Sequence, residues 1–331
     1  MVENWSLACN ACGKCCNSPP ALSLRELFRH RERFIGCIAV SRVFPLRTGA
    51  RLGADASGRP LDADEAAASE ALAHTLFHRL DGAGGWLSVT LQGYDDRLSG
   101  RCPALAADGR CTLHDAGKPD RCEAVPLDPL LPDRLQPHVL RDRRESMQSF
   151  GAVCIRPNFS DGATPLIRGG RVADTTALER SRHALVYERN VWRDAVFASL
   201  CEPSSGLPSR LAMLAPGVYL TLPIVPALFA VARFSARCRE ACIELLDSQI
   251  ALIDARVAEA IAKRRLDLRP VTRELRGFAE VCERAKSALR SMGDRSQHGE
   301  DPKITADVEA WLGLADDAGF KTVALAAETV H

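Results

Sequence analysis

Four cysteines within eight residues near the start of the chain constrain its fold more than any other feature. The segment CNACGKCC contains Cys9, Cys12, Cys15 and Cys16, with two residues between each of the first three. A loop with this spacing can wrap its thiolates around one centre, as ferredoxin-like iron–sulfur sites do. Zinc sites also use a Cys-x2-Cys pair, usually completed by a second such pair or by two histidines. The sequence has no such second half.

A second group of cysteines follows in a segment rich in proline, glycine and aspartate. Cys102, Cys111 and Cys122 are separated by eight and ten residues, and Cys154 adds a thiol that is either a ligand or a small buried side chain. Because one zinc ion takes only four ligands, the surplus favours an iron–sulfur or multinuclear centre. We expect a 4Fe-4S cluster, with zinc as the alternative. The predicted metal ligands are Cys9, Cys12, Cys15, Cys16, Cys102, Cys111, Cys122 and Cys154.

Composition and charge indicate the compartment and exclude one class of partner. The first residues, MVENWSLACNACGKCC, contain neither a basic start nor an apolar stretch of signal-peptide length, so we expect a cytoplasmic protein. Thiol buffers keep cysteine pairs reduced there, so thirteen cysteines favour metal ligation over a disulfide framework. A formal net charge of +1 provides no field that would attract nucleic acid, and none is expected as a partner.

Residues 1–170 are predicted to form a cysteine-cluster metal-binding region. Ser23, with a glutamate three positions later, predicts a helix over residues 23–34. The segment WLSVTLQGY alternates in the manner of a strand. Residues 100–170 contain so much proline, glycine and aspartate that little regular structure is expected. A segment that long and irregular needs something to hold it, and a metal centre would do so.

Residues 171–331 are predicted to form a helical region. Apolar periodicity predicts helices over 237–264 and 272–292, and the polar residues near 293–303 predict an exposed linker. The predicted fold class is therefore mainly α, with an irregular cysteine-rich metal-binding N-terminal half that has minor β structure. This half is expected to pack on a helical C-terminal half.

An uncharged run over residues 211–232 requires a separate interpretation. Its length is sufficient for a membrane span. However, Pro216, Pro223 and Pro226 would each interrupt the hydrogen bonding of a spanning helix. We therefore expect a buried, kinked core segment, and membrane association through this run stays the alternative.

The two cysteine blocks together resemble the YkgJ-type zinc/iron-chelating cysteine-cluster family. Members carry a CxxCGxCC-like opening and then a block of the form C-P-x-L, G-x-C-x-(I/L)-(Y/H) and R-P-x-x-C-x-x-(F/Y)-P. CNACGKCC matches the opening, and CPALAADGRCTLHDAGKPDRCEAVP matches the block. Lys118-Pro119 stands in place of Arg-Pro, and Val125 stands in place of the aromatic residue. The two blocks cover under a third of the chain.

The resemblance implies a function. The long gap between Cys16 and Cys102, followed by a helical half, is also similar to the flagellin lysine N-methylases, which look like iron–sulfur proteins that methylate lysine with S-adenosylmethionine. It implies an iron–sulfur-dependent transferase or oxidoreductase that acts on a protein or peptide, with S-adenosylmethionine as a further cofactor. The alternative is a non-catalytic zinc or iron binder, in which the metal is structural or is cargo. The sequence singles out no acid, base or nucleophile.

Overall fold

The structure is a computed structural model that describes residues 3–52, 59–80, 85–96, 100–114, 117–202, 207–292 and 301–314. Its strands are β1 (Trp5–Leu7), β2 (Ala21–Leu22), β3 (Gly36–Val43), β4 (His78–Arg79), β5 (Trp86–Gly93), β6 (Ile155–Pro157), β7 (Thr164–Arg168), β8 (Arg171–Val172) and β9 (Tyr219–Pro223). Its α-helices are α1 (Leu24–Arg29), α2 (Ala63–Leu76), α3 (Asp120–Ala124), α4 (Gln136–Ser149), α5 (Thr176–Glu188), α6 (Asp194–Cys201), α7 (Leu207–Ala212), α8 (Val225–Ala232), α9 (Ala236–Ala262), α10 (Arg269–Ser291) and α11 (Pro302–Leu312).

The first sheet joins the N-terminal strand to strands that follow much later in the chain. Its order is β6-β1-β7-β8, and every neighbouring pair is antiparallel. Trp5 on β1, Ile155 on β6 and Ile167 on β7 are buried in one apolar cluster, so their burial fixes the pairing. The sheet therefore brings the residue that follows β1 next to the residue that precedes β6.

The second sheet is antiparallel and forms the centre of the molecule. Its order is β2-β5-β3-β9, and β4 also pairs with β5. Both faces of β3 are covered because successive side chains of a strand point to opposite sides. Cys37 packs with Ile253 of α9 and Phe278 of α10, whereas Ile38 and Val40 lie in the main core. This explains why the β3 sequence is a nearly continuous apolar run rather than an alternating one.

A buried glutamine fixes the start of β3 against the longest helix. Gln249 of α9 accepts a hydrogen bond from the Gly36 backbone N–H at 2.5 Å and donates to the Phe34 carbonyl at 3.1 Å. Paired in this way, the buried amide avoids the cost of an unsatisfied polar group. The turn before β3 is therefore held in place against α9, and this turn lines the cavity described below.

The predicted fold class is wrong in its description of both halves. The described part contains two antiparallel sheets, and β9, from the half expected to be helical, pairs with β3 of the other half. Residues 100–170, where little regular structure was expected, include two α-helices and two strands. Pairing with distant segments stabilises β6 and β9, whose three and five residues are too few to show a clear local pattern. The boundary at residue 170 stays a prediction.

The apolar run at 211–232 divides between three elements instead of forming one helix. It contains the end of α7, the whole of β9 and α8. In the described ranges, no helix has both the length and the apolar character needed to cross a bilayer. Of the linker predicted near 293–303, residues 293–300 lie outside the described residues.

Candidate functional site

Strand pairing in the first sheet brings the two ends of the cysteine sequence together. Cys9 follows β1 and Cys154 precedes β6, and these strands run antiparallel with Leu7 opposite Ile155. The backbone N–H of Ala8 donates to the carbonyl of Cys154 at 2.8 Å. Antiparallel pairing therefore brings Cys154 beside the opening cysteine segment, although the two are far apart in the sequence.

The N-terminal cysteine loop also contacts the second cysteine group directly. The backbone N–H of Cys102 donates to the carbonyl of Cys16 at 3.0 Å. Gly13, in the left-handed region at φ 69°, lies so close to Gly109 that a Cβ would collide with its carbonyl oxygen. Lys14 Nζ donates to the carbonyl of Gly151 at 2.9 Å. Three contacts thus hold the loop against segments that carry other cysteines.

Thiols from separate segments influence one another electrostatically. The sulfurs of Cys15 and Cys16 are 3.9 Å apart. This hydrogen bond lowers the pKa of Cys15 and, with burial, raises the pKa of Cys16, because one thiol donates to the other. Negative charge on Cys102 and Cys122 raises the pKa of Cys16 further. Burial raises the pKa of Cys122, on α3, to about 12.

The thiols do not form a metal-binding group as the structure places them. Across the described ranges, no three or more His, Cys, Asp or Glu side chains are arranged so that they could hold a metal ion. The predicted fold class is therefore also wrong in describing the N-terminal half as metal-binding. Within the described residues, that half contains no assembled metal-binding group. The predicted ligands differ in exposure: Cys9, Cys12 and Cys15 are exposed, Cys16, Cys111, Cys122 and Cys154 are half-buried, and Cys102 is buried.

The chemistry of the donor set nevertheless suits a thiolate-bound metal. Residues 8–13 form neither strand nor helix. Cys9 and Cys12 are exposed, so rotation about each Cα–Cβ bond can move their sulfurs. Backbone hydrogen bonds at Cys16 and Cys154, rather than their side chains, join the cysteine segments. The segments are therefore held together independently of the positions of the sulfurs.

Sequence reasoning missed two features of this region. One is the approach of Gly13 to Gly109, which leaves no local pattern because the two residues lie on separate segments. The other is Arg33, whose positive charge opposes the rise that burial produces in the pKa of Cys102. Arg33 follows α1 and belongs to none of the cysteine segments, so only the folded chain places it here.

Gly13→Ala is expected to loosen the cysteine loop. A left-handed alanine costs about 1–2 kcal/mol, and its Cβ would also collide with the Gly109 carbonyl. The hydrogen bond from the Cys102 backbone should open more often as a result. Hydrogen–deuterium exchange of the peptide that contains Cys102 should therefore be faster in the variant.

Gly49→Ala is the matched control, because Gly49 is also left-handed, at φ 85°, but nothing lies within 4 Å of a Cβ there. It should leave exchange at Cys102 unchanged. Equal exchange in Gly13→Ala and the original protein would show that the Gly13–Gly109 approach does not hold the loop.

Comparison with models of known protein families, with curated proteins and with solved structures gives no match for this chain.

Proposed function

We propose that this chain binds a metal centre through thiols of its N-terminal half, and that the centre is an iron–sulfur cluster, with zinc as the alternative metal. The residues proposed to hold it are Cys9, Cys12, Cys15, Cys16, Cys102, Cys111, Cys122 and Cys154. We further propose that the protein is an enzyme that modifies a protein or peptide. In its narrower form, the proposal is methyl transfer from S-adenosylmethionine.

The junction at Cys16 is the observation that carries this proposal. Its carbonyl accepts the hydrogen bond from the Cys102 backbone N–H, and its sulfur lies 3.9 Å from that of Cys15. Two cysteine-bearing segments are therefore joined here through the backbone, and thiolates are the ligands that iron–sulfur clusters and structural zinc use. A reducing compartment would leave these thiols free to bind metal.

The exposure of the loop supports a macromolecular substrate. Cys9, Cys12 and Cys15 are exposed, so a protein or peptide could reach this side of the site without passing through a channel. Lys14 fastens the loop to the Gly151 carbonyl and so helps to keep that side in one orientation. An iron–sulfur cluster would supply electron transfer or a fixed point that orients the reacting groups.

The alternative is that the metal is structural or is cargo, and a different observation favours it. The loop before Cys16 has no strand or helix of its own. A bound metal contributes folding free energy directly, of the order of 10 kcal/mol for structural zinc. In this alternative the metal orders the loop and takes part in no reaction.

Titration calorimetry with S-adenosylmethionine tests the enzymatic proposal. The full chain, purified anaerobically, is titrated before and after a chelator has removed its metal. We expect saturable binding by the metal-loaded protein and weaker binding after metal removal, because the site loses the group that orders it.

Circular dichroism and hydrogen–deuterium exchange of the same two samples separate the alternatives. If S-adenosylmethionine does not bind and metal removal only increases exchange at residues 8–16, the methyl-transfer proposal fails and the structural role stands. If the chain holds no metal in either sample, both fail.

A further inference from the structure

A cavity of about 410 Å³ lies beside the second group of cysteines. Its walls come from the turn before β3, the end of β5, the segment around Cys102, and helices α9 and α10. Ligand pockets have volumes of about 300–1,000 Å³ and often lie where several elements meet. The cavity is therefore large enough for a small organic molecule.

Much of the cavity wall is apolar and fixed. Phe34 and Leu275 are buried behind this wall, whereas the partly exposed Leu252 and Leu105 present apolar surface to the cavity. The ring of Tyr94 also faces the cavity, but its hydroxyl donates to Glu274 at 2.7 Å. Since that hydroxyl already has a partner, Tyr94 presents mainly an aromatic surface to the cavity.

Among the residues that the structure describes, three arginines line the cavity, and they differ in how their charges are compensated. Arg256 donates to Asp96 at 2.7 Å and to Glu259 at 3.3 Å, so two carboxylates that also line the cavity compensate its charge. Arg33 and Arg101 have no carboxylate within ion-pair distance in the part of the chain that the structure describes. Arg101 donates to the backbone carbonyl of Ala106. Two guanidinium groups thus remain for an anion.

We propose that this cavity binds a small organic anion with an aromatic or apolar body, such as a carboxylic acid. Arg33 and Arg101 hold the anionic group, because guanidinium binds carboxylate and related oxyanions with charge-assisted hydrogen bonds. The partly exposed side chains of Tyr94, Leu105 and Leu252 contact the body of the ligand. The pattern of an apolar wall with a few charged groups is that of a specific ligand site.

The position of Cys102 connects this ligand to the cysteine region. Cys102 lines the cavity, and its backbone N–H donates to the Cys16 carbonyl. A molecule in the cavity therefore lies next to one of the proposed metal ligands. That the anion is the substrate or cofactor of the metal centre rests on the proposed function, whereas its binding by the arginines does not.

A pair of fluorescent probes tests the proposal on the full chain. Anilinonaphthalene sulfonate is an organic anion with an aromatic body, and phenylnaphthylamine is its neutral counterpart. We expect the anionic probe to bind once per chain. Arg33→Gln and Arg101→Gln should each weaken its affinity about tenfold or more, because each removes a charged hydrogen-bond donor. They should change the affinity of the neutral probe little.

Two further variants provide a charge control and a test that the probes bind in the cavity. Arg31→Gln is the control, since Arg31 lies in the same segment but pairs with Glu244 outside the cavity. It should leave both affinities unchanged. Ala255→Trp, on α9, fills the cavity without changing a charge, and it should weaken the binding of both probes. Circular dichroism confirms that each variant is folded.

The proposal is overturned if the anionic probe binds Arg33→Gln and Arg101→Gln as tightly as the original protein, or if Ala255→Trp has no effect. Iron, zinc and sulfide contents of the same samples distinguish this outcome from failure of the proposed function. A chain without metal that still binds the anion through the arginines would refute the metal centre alone. A chain with metal and no arginine-dependent binding would refute the cavity site alone.

Discussion

Cys12→Ser and Cys111→Ser are each expected to abolish most of the metal binding of this chain, whereas Cys201→Ser is expected to leave it intact. Cys12 and Cys111 belong to the two groups of cysteines that meet at Cys16, whereas Cys201 ends α6. A serine hydroxyl is not a thiolate and cannot replace one as a soft ligand. Because metal binding can supply folding free energy of the order of 10 kcal/mol, the two variants should also unfold at lower temperature.

Metal content and thermal unfolding of the three variants, purified in parallel without oxygen, measure this effect. Cys201 is a suitable control because it is half-buried, as Cys111 is, so a general effect of replacing a half-buried cysteine would appear in it as well. Full metal content in both Cys12→Ser and Cys111→Ser would contradict the assignment of these residues. Loss of metal from all three variants would show that the effect is not specific to the proposed ligands.

Arg193→Met is expected to lower the free energy of unfolding by at least about 3 kcal/mol, since three backbone carbonyls would each lose a donor at about 1–3 kcal/mol. Arg193 is completely buried. Its guanidinium donates to the carbonyls of Val89 at 2.7 Å, Leu185 at 2.6 Å and Leu76 at 2.7 Å. Burial lowers its pKa to about 10, so the group stays charged at neutral pH. The side chain thereby joins β5, α5 and α2.

Urea unfolding of Arg193→Met beside Arg265→Met measures this difference. Arg265 is about half exposed and pairs with Asp267 two residues away, so its replacement should change the stability little. If the two variants had equal stability, the three carbonyl contacts would not hold the second sheet to its helices.

Local patterns in the sequence identify several elements correctly. The helix predicted to start at Ser23 does so: the Ser23 side chain accepts from Glu26 and the Glu26 side chain accepts from Ser23, although α1 ends at Arg29. The strand predicted in WLSVTLQGY is β5. The helices predicted over 237–264 and 272–292 correspond to α9 and α10. Caps and long periodic segments are local signals, so one sequence is enough to read them.

Elements that depend on distant partners could not be predicted. β9 lies in the apolar run that was predicted to be a buried, kinked core segment. It is a strand because it pairs with β3. A turn separates β6 from β7, and both strands pair with β1, which lies near the start of the chain. Register between such segments is set by burial in the folded molecule, which no window of sequence contains.

The candidate site also contains features that the local sequence predicts and features that depend on distant partners. The spacing in CNACGKCC marks the thiols, but it does not show that Cys154 lies beside the loop or that Gly13 approaches Gly109. Those contacts arise from sheet pairing and from the absence of a Cβ. Arg33 and Arg101 come from separate segments, so the anion cavity has no sequence signature at all.

The central claim is that this chain holds a metal through its thiols, and the ultraviolet–visible spectrum of anaerobically purified protein, with metal and sulfide analysis, tests it most directly. The account predicts broad absorption near ~400 nm with iron and acid-labile sulfide, because thiolate-bound iron is strongly coloured. A colourless protein with stoichiometric zinc would leave the structural alternative, because zinc has a filled d shell. A colourless protein without iron or zinc would contradict the claim.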